Sequence, residues 1–118
     1  MKLVSVVMPY FKKERYVRNS ITSILSQTYE NLEIILIDDE LSSESKDLLT
    51  DITKSDKRIK LIKNHKNLGA GFSRNNAIKK SNGKYIAFCD CDDVWLENKL
   101  ERQINFMEKN DYSFTFTA

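Results

Sequence analysis

Leu32-Glu33-Ile34-Ile35-Leu36-Ile37, followed by Asp38-Asp39, decides how this chain folds. Five of its six leading residues are apolar, and the run ends abruptly in acid. A strand with one wet face alternates apolar and polar residues, whereas a near-continuous run belongs to a strand buried on both faces. Outward from it, apolar runs and helical patterns alternate along the whole chain. Leu3–Pro9 is a β-branched run closed by the only proline. From Glu14 to Gln27, Val17, Ile21, Ile24 and Leu25 recur at helical spacing. Ser42-Ser43-Glu44-Ser45 offers N-caps to a helix holding Leu48, Leu49 and Ile52. Arg58–Ile62 is a third strand. Asn67–Gly71 reads as a loop before a helix over Phe72–Ser81, with Asn82-Gly83 as its C-cap. Tyr85–Cys89 is a fourth strand ending in Asp90-Cys91-Asp92-Asp93, and Leu96–Lys109 a further helix striped by Leu96, Leu100, Ile104 and Met107. Tyr112–Thr117 begins a fifth strand. This pattern predicts one α/β unit over residues 1–118, a Rossmann-like, mostly parallel sheet with helices on both faces.

Composition narrows the functional classes. The chain has 118 residues, 19 Lys+Arg against 17 Asp+Glu, and a net charge of +2, so no strong field selects nucleic acid or an anionic membrane. No apolar run approaches the length of a membrane span, and the N-terminal stretch, broken by Ser5, is a poor signal peptide. Cys89 and Cys91 are too close for a structural disulfide. A soluble, cytoplasmic protein is the expectation.

In an open parallel sheet, ligands bind at the carboxyl ends of the strands, where the strand order reverses. Strand one ends at Pro9-Tyr10-Phe11, strand two at Asp38-Asp39, and strand four at Asp90-Cys91-Asp92-Asp93. Carboxylates gathered at one end of a sheet repel one another unless a cation compensates, and Mg²⁺ or Mn²⁺ with a phosphate ligand would do so. Each Asp-Asp pair alone would read as turn formers and helix caps; two pairs at strand ends favour a site. Gly69-Ala70-Gly71 is no dinucleotide fingerprint, because Arg74 stands where the third glycine belongs and the segment does not follow strand one. Leading into Ser73-Arg74-Asn75, it brings a cation and backbone amides towards an anion at a helix start. Gly83-Lys84 lacks the rest of a Walker motif. Two cysteines and a distant His65 are too few, at the wrong spacing, for zinc. They read as small buried strand residues and an exposed loop histidine, and Trp95 reads as a core anchor.

Taken in order, these segments resemble the family 2 glycosyltransferases of GT-A fold. Val4-Ser5-Val6-Val7-Met8-Pro9-Tyr10-Phe11 is similar to the family's opening strand, which usually continues with Asn where Lys12 stands. Ser23-Ile24-Leu25-Ser26-Gln27-Thr28-Tyr29 resembles its helix ending, and Ile37-Asp38-Asp39 its acidic pair. Asn67-Leu68-Gly69 through Arg74-Asn75-Asn76-Ala77 resembles its glycine–arginine–asparagine segment, and Gly83 to Asp93 its DxD region. The resemblance spans essentially the whole chain. It implies metal-dependent transfer of a sugar from a nucleotide diphosphate donor, a UDP-sugar, to a saccharide or lipid-linked acceptor in bacterial polysaccharide biosynthesis. It also implies that Pro9 and Tyr10 line the base pocket, Asp39 accepts a hydrogen bond from the base, Arg74 lies near base or phosphates, and Asp90 faces the ribose side. Asp92, with Asp93 as the close alternative, would hold Mn²⁺ or Mg²⁺.

Glu40-Leu41 and Ser43 replace the family's usual Gly-Ser and a following acid, which alters the loop's local hydrogen bonds. No residue is a candidate general base, which the family carries beyond the DxD motif, past residue 118 here. The chain thus reads as the nucleotide-sugar-binding part, truncated before the acceptor-binding half, with little transfer of its own expected. Two other classes compete. An inactive binding or assembly module would keep the fold and self-associate through an unpaired edge strand. A nucleotidyltransferase would need a glycine-rich basic loop after strand one, and Tyr10-Phe11-Lys12-Lys13-Glu14 has no glycine.

Overall fold

The computed structural model describes residues 1–110. Four parallel strands run in the order β3-β2-β1-β4: β1 Val4–Tyr10, β2 Leu32–Asp38, β3 Ile59–Lys63 and β4 Tyr85–Phe88. Between and after them lie α1 Val17–Leu25, α2 Ser43–Lys54, α3 Gly69–Lys80 and α4 Lys99–Asn110. The chain steps outward from β1 to β3, then crosses back to lay β4 on the other side of β1. Strand order therefore reverses between β1 and β4, and open parallel sheets take ligands at the carboxyl ends of the strands beside such a reversal.

All seven residues of β2 are buried, as its unbroken apolar run requires. The pleat divides the sheet between two cores. Val4, Val6, Met8 and Tyr10 of β1 and Leu32, Ile34 and Leu36 of β2 meet residues of α1, α2 and α4 on one face. Val7, Ile35 and Ile37 meet Ala77 of α3 on the other, a much smaller cluster. Helices thus cover both faces, three against one.

Several boundaries differ from the sequence expectation, each for a physical reason. The stretch before Val17 is a turn, its end closed by the Tyr16 and Val17 amides on the Lys13 carbonyl. α2 begins as expected at an N-cap, Ser42, whose hydroxyl accepts from the Ser45 amide while the Ser45 hydroxyl accepts from the Ser42 amide. α3 begins at Gly69, not Phe72, because its first amides are held by the carboxylate of Asp39, just past β2, rather than by a local cap. α4 begins at Lys99; Leu96 is 78% exposed and stands off the stripe, while Leu100, Ile104 and Met107 are buried. Gly83 is not the cap of α3, whose C-cap is Ser81. A Cβ on Gly83 would lie 2.6 Å from the backbone nitrogen of Ser5 and 2.9 Å from the Leu3 carbonyl oxygen, so only glycine fits against β1. The expected strand Tyr112–Thr117 lies outside the described residues.

The two ends of the sheet differ. β3 carries Lys60 and Lys63. β4 has no charged residue, and its Ile86 and Phe88 are 37% and 49% exposed. A buried polar cluster ties the amino ends of the strands to the α3–β4 connection. Glu33 accepts hydrogen bonds from the Ser5 hydroxyl at 2.6 Å, the Asn82 amide at 2.8 Å and the Lys60 ammonium at 2.6 Å. Burial pushes its carboxyl up, but the Asn82 amide, Lys60 and Ser5 together outweigh that and hold it below its usual value.

Candidate functional site

At the carboxyl ends of β1 and β2 the two aspartates divide the work. Asp38 is structural: its carboxylate accepts the amides of Glu40 and Leu41 and the Ser45 hydroxyl, fixing the turn into α2. Asp39 is 3% exposed and reaches across to α3. Its Oδ1 accepts from the Asn64 side chain at 2.7 Å and the Leu68 amide at 2.8 Å, and its Oδ2 from the Gly69 amide at 2.9 Å. A buried carboxylate at the positive end of a helix is thereby well compensated. A carboxylate has about four acceptor positions, so one on Oδ2 remains. Asn64 in turn donates to Ser73 Oγ, and Asn67 to the Asp39 carbonyl, which locks the loop before α3.

Two residues nearby have left-handed backbone: Lys12 at φ 52° in the loop after β1 and Leu41 at φ 64° in the loop after β2. Neither is glycine or asparagine, the residues that take this conformation readily. Glu40 joins the two loops, accepting the Lys12 amide at 2.9 Å through one oxygen and the Ser42 hydroxyl through the other. Pro9 is half-buried. Tyr10 is 1% exposed and belongs to the core cluster, and its carbonyl accepts the Asp39 amide at 3.0 Å. Burial, then the Glu40 and Glu14 carboxylates, push its phenol up to about 12.

After β4 the chain turns through Asp90-Cys91-Asp92-Asp93. One oxygen from each of the three aspartates lies within 4.8 Å of the others, and all three residues are exposed. Exposed hard oxygen donors that leave room for water and phosphate are the donor set of Mg²⁺ or Mn²⁺; the residues present fit such an ion. The cysteines point elsewhere. Both are buried and unbridged, and the Cys91 thiol donates to the Pro9 carbonyl at 3.1 Å. Burial, followed by the neighbouring aspartates, pushes the Cys89 thiol up to about 12, and burial raises Cys91 too, so both stay protonated. Two cations flank the turn: Arg74 of α3 lies 3.4 Å from Asp90, and Lys13 lies 3.4 Å from Asp92. The expected residues therefore gather at one end of the sheet, Arg74 and Asp90 in contact, with Asp39 anchoring the start of the helix that carries Arg74. His65 is exposed, and Trp95 is buried in the core with the Lys99 ammonium 4.6 Å from its ring centroid.

Sequence reasoning missed what holds the acidic turn. Three polar residues on one side of α1 and its end grip the chain that follows β4. Ser20 Oγ donates to the Cys91 carbonyl at 2.7 Å, and Ser23 Oγ accepts the Trp95 amide at 3.1 Å. Gln27 donates to the Leu96 carbonyl at 2.7 Å and accepts the Leu100 amide at 3.0 Å. The available signal was their spacing: positions 20, 23 and 27 fall on one helical face, beside the apolar stripe.

Residues 5–118 match the glycosyl transferase family 2 domain, and the chain belongs to that family. It is 44% identical over 97% of its length to the *Escherichia coli* UDP-Glc:alpha-D-GlcNAc-diphosphoundecaprenol beta-1,3-glucosyltransferase WfgD. It is 36% identical over 98% of its length to the putative teichuronic acid biosynthesis glycosyltransferase TuaG of *Bacillus subtilis*. It covers 44% and 46% of those two proteins, somewhat under half of each. Among solved structures, *S. aureus* TarS 1-349 in complex with UDP-GlcNAc superposes with a TM-score of 0.82 at 24% identity, over 94% of this chain and 32% of that one. The mannosyltransferase PcManGT from *Pyrobaculum calidifontis*, in complex with GDP-Man and Mn2+, gives 0.80 at 16% identity, over 88% of this chain and 32% of that one. At these identities the likeness shows the α/β fold.

Proposed function

We propose that the chain binds the donor of a metal-dependent sugar transfer, a nucleoside diphosphate sugar with UDP as the nucleotide. The observation that carries this reading is the pairing, at one end of the sheet, of a buried Asp39 with an acceptor position to spare and an exposed turn of three aspartates flanked by Lys13 and Arg74. Pro9 and the backbone of Tyr10, whose side chain lies in the core, bound the base pocket, and Asp39 accepts the base N–H. Asp90 faces the ribose side with Arg74 beside it. Asp92 and Asp93 would hold Mn²⁺ or Mg²⁺, which when bound would offset charge developing on the departing diphosphate. The protein's own part is to place the donor, to fix the acidic turn through α1, and to bring Arg74 towards the phosphates.

A saccharide or lipid-linked acceptor in polysaccharide synthesis is supported by the names of the two relatives, and we propose with it a setting at the cytoplasmic face of a bacterial membrane. No described helix is long and apolar enough to cross a membrane. By its resemblance to the family, whose general base follows the DxD motif, this chain is proposed to bind donor with little transfer. We also propose that it self-associates, supported by the uncharged edge of β4; a strictly monomeric mass by light scattering would refute that.

Calorimetric titration with UDP, with and without Mn²⁺, tests the central reading. Binding that Mn²⁺ tightens, and that Asp39→Asn and Asp92→Asn each weaken by tenfold or more, of order 1.4 kcal/mol, is expected. Binding indifferent to both the metal and these substitutions overturns it.

A further inference from the structure

The ion pair between Lys13 and Asp92 sits on the proposed metal site itself. Lys13 Nζ lies 3.4 Å from Asp92 Oδ2, and both side chains are 43% exposed. Its backbone is fixed on both sides: the Lys12 amide is held by Glu40, and the Lys13 carbonyl accepts the Tyr16 and Val17 amides. A flexible four-carbon stem therefore swings from a fixed point beside the acidic turn. An ammonium at this distance draws on the same carboxylate that a divalent ion would use. A half-exposed pair of this kind is weak, so exchanging its partner costs little, unlike a buried pair. A compact ammonium with rotatable donors suits a change of partner better than a planar guanidinium does.

We infer that Lys13 is an exchangeable counter-cation. Without ligand it neutralises Asp92; when donor and metal bind, it leaves the carboxylate and moves onto the donor's diphosphate. This makes Lys13 a positioning residue that couples the two binding events, because each ligand favours the arrangement the other needs. The inference rests on the donor-site reading above.

The test is calorimetry on the 118-residue chain with Mn²⁺ alone, UDP alone and UDP in saturating Mn²⁺. The variants are Lys13→Met, Lys13→Arg, Asp92→Asn and, as a control for general charge loss, Lys79→Met on the exposed end of α3, with thermal melts to confirm folding. Lys13→Met is expected to bind Mn²⁺ alone more tightly, and the factor by which Mn²⁺ tightens UDP should fall at least about fivefold, within the usual range of such couplings. Lys13→Arg should recover part of it and Lys79→Met should leave it unchanged. If Asp92→Asn abolishes the metal effect while Lys13→Met keeps the wild-type coupling, the inference fails and the donor site stands. If Lys79→Met lowers the coupling as much as Lys13→Met, a diffuse field explains the result and the inference fails. If the unmodified chain binds no UDP, or binds it regardless of Asp92, both fall together.

Discussion

The Asp39 carboxylate accepts the Leu68 amide at 2.8 Å across a separation of 29 residues, so the residue that follows β2 caps the start of α3. Asparagine in place of Asp39 keeps the size but loses the charge and one acceptor oxygen. Asp39→Asn is expected to lose about 1–3 kcal/mol of stability, with the earliest hydrogen-exchange losses at residues 68–73. Unchanged exchange there would show that the cap holds nothing.

Gln27 bridges the end of α1 to Leu96 and Leu100 from a position only 3% exposed. Truncation strands the Leu100 amide at the start of α4 and takes one of two donors from the Leu96 carbonyl, which keeps the Lys99 amide. Gln27→Ala should cost about 1–3 kcal/mol in urea denaturation and loosen the acidic turn, weakening Mn²⁺ binding without touching any metal-binding side chain. Full retention of both would mean that packing alone positions the turn.

Acid should loosen the cluster around Glu33. Its folded pKa lies below the ordinary 4.5, because the Asn82 amide, Lys60 and Ser5 outweigh the burial that pushes it up. A depressed carboxylate contributes stability above its unfolded pKa and loses it as pH falls through the folded value. Chemical denaturation stepped downward from about pH 6 should therefore show a loss below 4.5 that Glu33→Gln lacks, with Glu33→Gln already less stable at neutral pH. Parallel curves for the two proteins would remove Glu33 from the acid response.

Relieving the left-handed residues should raise the melting temperature. Lys12→Asn keeps the amide that Glu40 accepts and suits φ 52°, and Leu41→Gly suits φ 64°. Each is expected to gain roughly 0.5–1 kcal/mol, the left-handed penalty of about 1–2 kcal/mol less the offsetting terms. A fall in stability in either variant would mean that the lost side-chain contacts outweigh the backbone relief.

Gly83→Ala should be severely destabilising, because the added methyl meets the backbone of Ser5 and Leu3, which cannot swing aside. A cost of about 3 kcal/mol or more is expected; a well-folded variant with wild-type stability would require β1 and the α3–β4 turn to part freely.

How legible all this was in the sequence depended on range. The run from Leu32 to Ile37 announced a doubly buried strand, and Ser42 announced its helix, because both signals are local. The start of α3 was misjudged because its cap, Asp39, lies 29 residues away beyond the end of β2. Gly83 looked like a helix terminator for the same reason: the obstacle it avoids, Ser5, is 78 residues away. The acidic turn was visible in the sequence, but Ser20, Ser23 and Gln27 were not, since a serine on a helix looks alike whether it faces water or a distant carbonyl.

The unlike ends of the sheet give the molecule a direction of growth. At β3, Lys60 and Lys63 make any incoming strand desolvate charge. At β4, an uncharged backbone edge is flanked by Ile86 and Phe88, whose exposed surface another strand would cover. Among the described residues the β4 edge is therefore the less costly one to extend, and a strand added there would stand beside Asp90, Asp92 and Asp93.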